Sequence, residues 1–344
     1  MVLEIPFTRG VNFPKWFETR SIGEVEFNKY FEHDFADVKS LGADVIRLPV
    51  AVHNYFLDAQ NNIIDPMLFH YLDAVVDWAE KYKMYLILDN HSFHPIDPTD
   101  ENIDKILIPA WEQLAHHFKN RSHFVIYEIL NEPHGIADER WAQIQGDAIN
   151  AIRRIDPKRT IVIGGTDYNS IDKMTILPDY EAEHLIYTFH FYDPHIFTHQ
   201  GATWNEPSLA PLKDLPFPAG GHVHEVHETF KDTWVEKSLE NYEKESTYDA
   251  LCATLDKACD FSKERGVPVY CGEFGAFMIQ SPGEDRLKWY EFVCEALRRR
   301  AIPWTCWDYF GGFGIFKTHL RGAFPSHLNS DIVSAMGFTL PVKK

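Results

Sequence analysis

Two rhythms of apolar and polar positions run through this chain. Short, almost continuously apolar runs fall at residues 8–13, 43–49, 84–91, 124–132, 160–165, 184–194, 267–275 and 302–309. Their richness in Val, Ile, Leu, Phe and Tyr reads as strands buried on both faces. Between them, apolar residues recur every three or four positions, which predicts helices over 28–41, 66–83, 104–118, 140–155, 248–265, 284–300 and 330–336. The helix over 66–83 opens on Pro66 and carries Leu68, Leu72, Val75, Val76 and Ala79 on one face. The helix over 28–41 presents Phe31, Phe35, Val38 and Leu41 and is closed by Gly42.

The rhythm breaks from about 198 to 245. Pro207, Pro211, Pro216, Pro218 and the pair Gly220-Gly221 punctuate a stretch too long for a plain connection. It reads as a surface insertion after the sixth strand, within one domain spanning residues 1–344. Eight strand-then-helix units predict an α/β fold, a (β/α)8 TIM barrel. An open doubly wound sheet fits less well, because no Gly-rich turn follows the first strand.

The strand ends carry the chemistry. The run Phe124-Val125-Ile126-Tyr127-Glu128-Ile129-Leu130-Asn131-Glu132 stops at Pro133, which has no N–H to continue a ladder, so the strand is expected to end at or near Glu132. A carboxylate ending a buried strand is unfavourable unless paired or working. Val267 to Gly275 repeats the design with Glu273. In a barrel, these ends gather with Arg47, His91, Asn131, His190, Tyr192 and Trp307 around one mouth. Two carboxylates facing one another there suit glycosidic hydrolysis, one protonated as acid and the other ionised as nucleophile. A cation such as Arg47 would keep Glu273 charged, and a less polar pocket would raise the pKa of Glu132. No metal and no cofactor is expected for this division of labour. Asp89, His91, His94 and His190 are ligand types, yet no strand offers the His-x-His spacing of a metal-dependent hydrolase barrel.

Composition narrows the substrate. The 344 residues are 45% apolar, enough for a sizeable core, and a net charge of −18 argues against nucleic acid or an anionic membrane as partner. The 14% aromatic content is a hint of flat platforms for sugars, with Trp16, Phe93, Trp204, Phe310 and Phe313 as candidates. Cys252, Cys259, Cys271, Cys294 and Cys306 form no disulfide framework and read as buried free thiols. The first six residues lack a basic and apolar leader pattern, so the expectation is a secreted protein if a leader once preceded Met1, and a cytoplasmic one otherwise. A monomer is the default expectation.

With these residues assembled, the chain resembles glycoside hydrolase family 5, the cellulase-type clan A barrels. The resemblance runs from Arg9-Gly10-Val11-Asn12 to the C-terminal region. Ile129-Leu130-Asn131-Glu132-Pro133 is similar to the family's acid/base signature, and Tyr270-Cys271-Gly272-Glu273-Phe274-Gly275 to its nucleophile signature. Phe189 to Pro194, followed by Phe197-Thr198-His199-Gln200, is similar to bacterial endoglucanases of the family. The resemblance implies Glu132 as general acid/base, Glu273 as nucleophile and Asn131 as ligand of the sugar 2-hydroxyl. It implies Arg47 and Tyr192 holding Glu273, His190 and His91 positioning the acid and the sugar, and Trp307 as the floor beneath that sugar. All these positions carry the expected residue types. The expected activity is a retaining endo-β-1,4-glucanase on cellulose-type or mixed-linkage β-glucan. A β-mannanase or glucomannanase, an exo-acting β-glucosidase and a non-catalytic carbohydrate-binding barrel are the alternatives.

Overall fold

The apolar runs form eight parallel strands in the computed structural model, which describes residues 4–93, 97–221 and 226–341. They are β1 (Arg9–Asn12), β2 (Val45–Val50), β3 (Tyr85–Asn90), β4 (Val125–Glu128), β5 (Ile161–Gly164), β6 (Leu185–Phe191), β7 (Val269–Phe274) and β8 (Trp304–Cys306). Each pairs with its neighbours in chain order, and β1 closes on β8 through Arg9 opposite Trp304 and Gly10 opposite Thr305. The fold is a (β/α)8 TIM barrel.

Strand periodicity builds the interior in layers. Val45, Ile87, Ile126, Val162, Ile186 and Tyr270 form a buried apolar plug with Phe7. Side chains two residues further along a strand point the same way, so Arg47, Asp89, Glu128 and Thr188 stack above that plug. All four are buried. The register of β6 on β7 shifts between Phe189 and His190, which changes the stagger where His190 and Glu273 come opposite one another.

Helices cover the outside. Pro66–Tyr82 is capped by Asp65, whose carboxylate accepts from the Met67 amide at 2.8 Å, and it ends on Lys83 in the left-handed region. It buries the apolar face predicted for it, Leu68, Leu72, Val75, Val76 and Ala79. Helices Asp104–Phe118, Asp138–Ile155, Tyr248–Arg265 and Gly283–Arg299 follow the predicted periodicity. The first predicted helix is shorter, Glu32–Ser40, preceded by 3-10 turns at Ile22–Glu24 and Phe27–Lys29. A small hairpin of Phe56–Asp58 and Ile63–Ile64 and the short helices Thr166–Asn169 and Ile171–Thr175 went unpredicted. The irregular stretch after β6 begins with helix His195–Thr198 and ends with helix Trp234–Glu245. Its Leu209, Leu215, Phe217, Phe230 and Tyr242 pack into the same hydrophobic cluster as the barrel's outer face. No described helix is long and apolar enough to cross a membrane. The five cysteines are unpaired; Cys271, Cys294 and Cys306 are buried, whereas Cys252 and Cys259, on helix Tyr248–Arg265, are only half-buried.

Candidate active site

Arg47 is the centre of the mouth. Its side chain is fully buried, and its guanidinium is divided among carboxylates and amides from several strands. Nε and Nη2 donate to the two oxygens of Glu128 at 2.7 and 2.8 Å. Nη1 donates to Glu273 Oε1 at 2.7 Å and to Asn12 Oδ1 at 3.0 Å. Nη2 also lies 2.8 Å from Asn131 Oδ1 and 3.0 Å from Asp89 Oδ2. A planar fork of five N–H groups can serve so many acceptors, which a lysine cannot.

Glu273 is the penultimate residue of β7 and has both oxygens occupied. Oε1 takes the Arg47 bond, and the Tyr192 hydroxyl donates to Oε2 at 2.8 Å. Gly272 beside it admits no side chain: an added Cβ would stand 2.8 Å from Thr188 Oγ1 and 3.2 Å from His190 Nε2. Burial raises the Tyr192 hydroxyl pKa well above its ordinary value, and the adjacent Glu273 charge adds to that, so this O–H stays a donor.

Glu132 stands where the sequence reading misplaced the strand end. The β4 ladder stops at Glu128, and 129–131 continue by single bonds, Ile129 N to Val162 O at 3.1 Å and Asn131 N to Asn90 O at 3.0 Å. The Trp111 indole donates to Ile129 O at 2.8 Å and pins this extension. Glu132 itself has φ of +47°, a strained conformation for a residue with a Cβ. That turn points its carboxylate at His190, with Nδ1 2.6 Å from Oε1. Burial pushes the Glu132 carboxyl up to about 7, against the opposing pull of His91 and Arg47. Burial also lowers His190 to about 4, so its ring is neutral near pH 7. Asn169 Nδ2 lies 3.5 Å from Nε2, which leaves Nδ1 as the donor to Glu132.

His91 packs between Asp89 and Trp307. Its Nδ1 lies 2.7 Å from Asp89 Oδ2, and its ring stacks on the Trp307 indole at 5.7 Å and 18°. Burial disfavours its charged form, but Asp89 outweighs that and raises it to about 9. The 3.3 Å approach of Asn131 Nδ2 to its Nε2 favours the neutral ring, so the two partners pull in opposite directions. Trp307 follows β8 directly and is half-buried.

The structure therefore brings Arg47, His91, Asn131, Glu132, His190, Tyr192, Glu273 and Trp307 to one mouth. One oxygen of Glu132, one of Glu273 and a nitrogen of His190 lie within 4.8 Å of one another. The sequence reading missed Glu128, Asn12 and Asn169, which hold Arg47 and His190, and it weighed Asp89 only as a metal ligand. His94, also considered as a ligand type, lies outside the described residues. Trp16 is corrected from a candidate platform to a core residue with no exposure, packed among Phe17, Phe27, Tyr30 and Trp78.

Residues 12–311 match the family model described as Cellulase (glycosyl hydrolase family 5). The chain belongs to glycosyl hydrolase family 5. Relatives in sequence include Endoglucanase 3 of Fibrobacter succinogenes, 30% identical over 90% of this chain, of whose length this chain spans half. Endoglucanase C of Acetivibrio thermocellus is 28% identical over 89% of this chain and 92% of its own length. Among solved structures, the endoglucanase Cel5A of Thermotoga maritima superposes with a TM-score of 0.79 at 25% identity, covering 96% of each chain. That protein has been solved with mannotriose and with cellobiose. This member of glycosyl hydrolase family 5 is thus built on the same barrel as that solved endoglucanase.

Proposed function

We propose that this family 5 glycoside hydrolase is a retaining endo-β-1,4-glucanase acting on cellulose-type or mixed-linkage β-glucan, with Glu132 as general acid/base and Glu273 as nucleophile. One observation carries the assignment. Carboxylate oxygens of Glu132 and Glu273 approach within 4.8 Å in contrasting surroundings. Glu273 is held by a guanidinium and a phenol, whereas Glu132 faces a neutral imidazole and is pushed up to about 7. Retaining glycosidases keep their carboxyl groups about 5–5.5 Å apart, and inverting ones leave about 6.5–9.5 Å for a water.

In the first step Glu273 attacks the anomeric carbon while Glu132 gives its proton to the departing oxygen. Positive charge develops on the sugar, and the ionised Glu273 stabilises it. The amide of Asn131 is oriented by Arg47 and His91 to meet the 2-hydroxyl, a contact that tightens as charge develops. Trp307, stacked on His91, provides the floor. Water then takes the place of the leaving group, and Glu132 acts as base.

The names of the sequence relatives favour β-glucan. A mannan reading stands second because the Thermotoga maritima neighbour was solved with mannotriose. Reducing-sugar release from carboxymethylcellulose, barley β-glucan and mannan, with products sized by chromatography, tests the proposal. A spread of oligosaccharides from the glucans is expected. Monosaccharide alone would point to exo action, mannan alone to a mannanase, and no release to a binding barrel.

A further inference from the structure

The start of the irregular stretch after β6 has no part in the roles above, although its motif Phe197-Thr198-His199-Gln200 stands out in the sequence. Thr198 ends the helix His195–Thr198 and is fully buried. Its hydroxyl has one hydrogen and lies 2.6 Å from the carbonyl oxygen of Tyr192, which only accepts, so the hydrogen goes there. The His195 carbonyl is more distant, at 3.3 Å. The same hydroxyl oxygen lies 3.0 Å from His199 Nδ1, so it accepts in that bond and the imidazole carries its hydrogen at Nδ1. One hydroxyl thus joins the residue that reaches Glu273 to the ring packed beside it.

That imidazole meets the Tyr192 ring edge to face, with centroids 4.9 Å apart and planes at 72°. Its other neighbours leave it little room. The His195 ring stacks on it at 3.9 Å and 17°, and Phe313 meets it at 5.3 Å and 60°. Burial lowers His195 to about 4 and holds His199 well below its ordinary value, so the stacked pair carries no charge near pH 7. The Thr198 carbonyl accepts from the Phe277 amide at 2.7 Å, in the segment that follows β7. Gln200 accepts from Leu215 N at 2.8 Å and donates to Leu215 O at 3.2 Å, which holds a later part of the stretch against this helix. The stretch is therefore fastened both to the strand end carrying Tyr192 and to the chain leaving Glu273.

We propose that Thr198 and His199 are positioning residues for the nucleophile, acting through Tyr192: the hydroxyl fixes the Tyr192 backbone, the imidazole fixes its ring, and the phenol is thereby aimed at Glu273 Oε2. The inference rests on the reading of Glu273 as nucleophile above. The Tyr192 hydroxyl sits at the far end of its side chain, so a small shift of backbone or ring moves it off its 2.8 Å bond to the carboxylate. A hydrogen bond to an ionised acceptor is stronger than a neutral one and weakens steeply with misalignment. The stretch after β6 then serves the chemistry by bracing one side chain, with no need to touch the sugar.

The test is a double-mutant cycle read as kcat/KM on 2,4-dinitrophenyl β-cellobioside. Its leaving group needs no proton, so this rate reports attack by Glu273. Tyr192→Phe should lose about 10- to 100-fold, as for one hydrogen bond to a charged group. Thr198→Val keeps the shape, removes the hydroxyl and should lose about three- to tenfold. The two together should lose no more than about twofold beyond Tyr192→Phe alone, because no phenol hydroxyl remains to be aimed. Thr198→Ser should recover most of the loss. His199→Leu removes the ring edge and should couple to Tyr192→Phe in the same way, and it carries the test if thermal unfolding shows that Thr198→Val does not fold. Losses that multiply in the double variants would overturn the proposal, as would Thr198→Ser as impaired as Thr198→Val. Wild-type rates in Tyr192→Phe, Thr198→Val or His199→Leu would overturn it too. Turnover by Glu273→Ala equal to wild type would overturn the nucleophile reading itself.

Discussion

Both oxygens of Glu128 hold Arg47, at 2.7 and 2.8 Å, in a pair with essentially no exposure to solvent. Glu128 reaches no substrate in this arrangement, but it fixes the plane of the guanidinium that holds Glu273. Burial raises the Glu128 carboxyl against the opposing pull of Arg47, so the ion pair and its environment are in tension.

Glu128→Ala should therefore lower activity without touching either catalytic carboxylate. A guanidinium that tilts by an ångström misplaces Glu273, and such displacements reduce rate by roughly 10²-fold. The same change leaves Arg47 short of a partner and should destabilise the fold by about 3–5 kcal/mol. Steady-state kinetics on an aryl cellobioside, together with thermal unfolding, measure both. Full activity in Glu128→Ala would show that Arg47 is fixed by Asp89, Asn12 and Asn131 alone.

Glu132→Gln removes the acid and keeps the shape. Cellulosic substrates, whose alkoxide leaves poorly without a proton, should lose about 10²- to 10⁴-fold in rate. Dinitrophenyl cellobioside, which needs no proton to leave, should lose far less in the first step. Comparing kcat/KM for the two leaving groups checks this. Equal losses would place the acid elsewhere.

The same carboxyl links activity to pH. Its proton is needed, so kcat/KM should fall as pH rises through about 7, where burial holds the Glu132 pKa. Stability runs in the same direction. The native state binds the proton more tightly than the unfolded chain, whose Glu titrates near 4.5. Between those values the native state holds more protons, so stability falls as pH rises from about 4.5 to 7 and stays low above. Glu132→Gln should relieve that penalty, gaining up to ~3 kcal/mol at pH 8 and little at pH 4. Thermal or urea unfolding at both pH values reads it, and a loss at pH 8 would contradict the burial account.

Gly272→Ala is a steric test of the His190 position. The new Cβ would press on Thr188 Oγ1 at 2.8 Å and on His190 Nε2 at 3.2 Å. Overpacking of this kind costs about 1–3 kcal/mol of stability. Displacing His190 weakens its bond to Glu132, so kcat/KM should fall on poor leaving groups more than on good ones.

How much of this was legible in the sequence depends on where each signal lives. Apolar runs ending in Pro133 and in Gly275 announced the two glutamates, because a strand end beside a breaker is a local pattern. Glu128 left no such mark. It lies inside a run buried on both faces, where alternation does not tell inward from outward. Its role became visible only once Arg47 came across from β2. Asn169 sits in a helix too short to show a period, next to Asp167 and Tyr168 at positive φ. The bond from Thr198 to the Tyr192 carbonyl falls in the irregular stretch after β6 and has no periodic signature. Trp16 shows the converse, since an aromatic residue beside a strand end looks the same in sequence whether it faces sugar or core.

The central claim is a covalent bond between Glu273 and the sugar, and trapping it is the most direct measurement. Enzyme treated with 2,4-dinitrophenyl 2-deoxy-2-fluoro-β-cellobioside should gain the mass of one fluorocellobiosyl group, located after proteolysis on the peptide carrying Glu273. An adduct on Glu132 or Glu128, or turnover of the reagent with no adduct, would contradict the account.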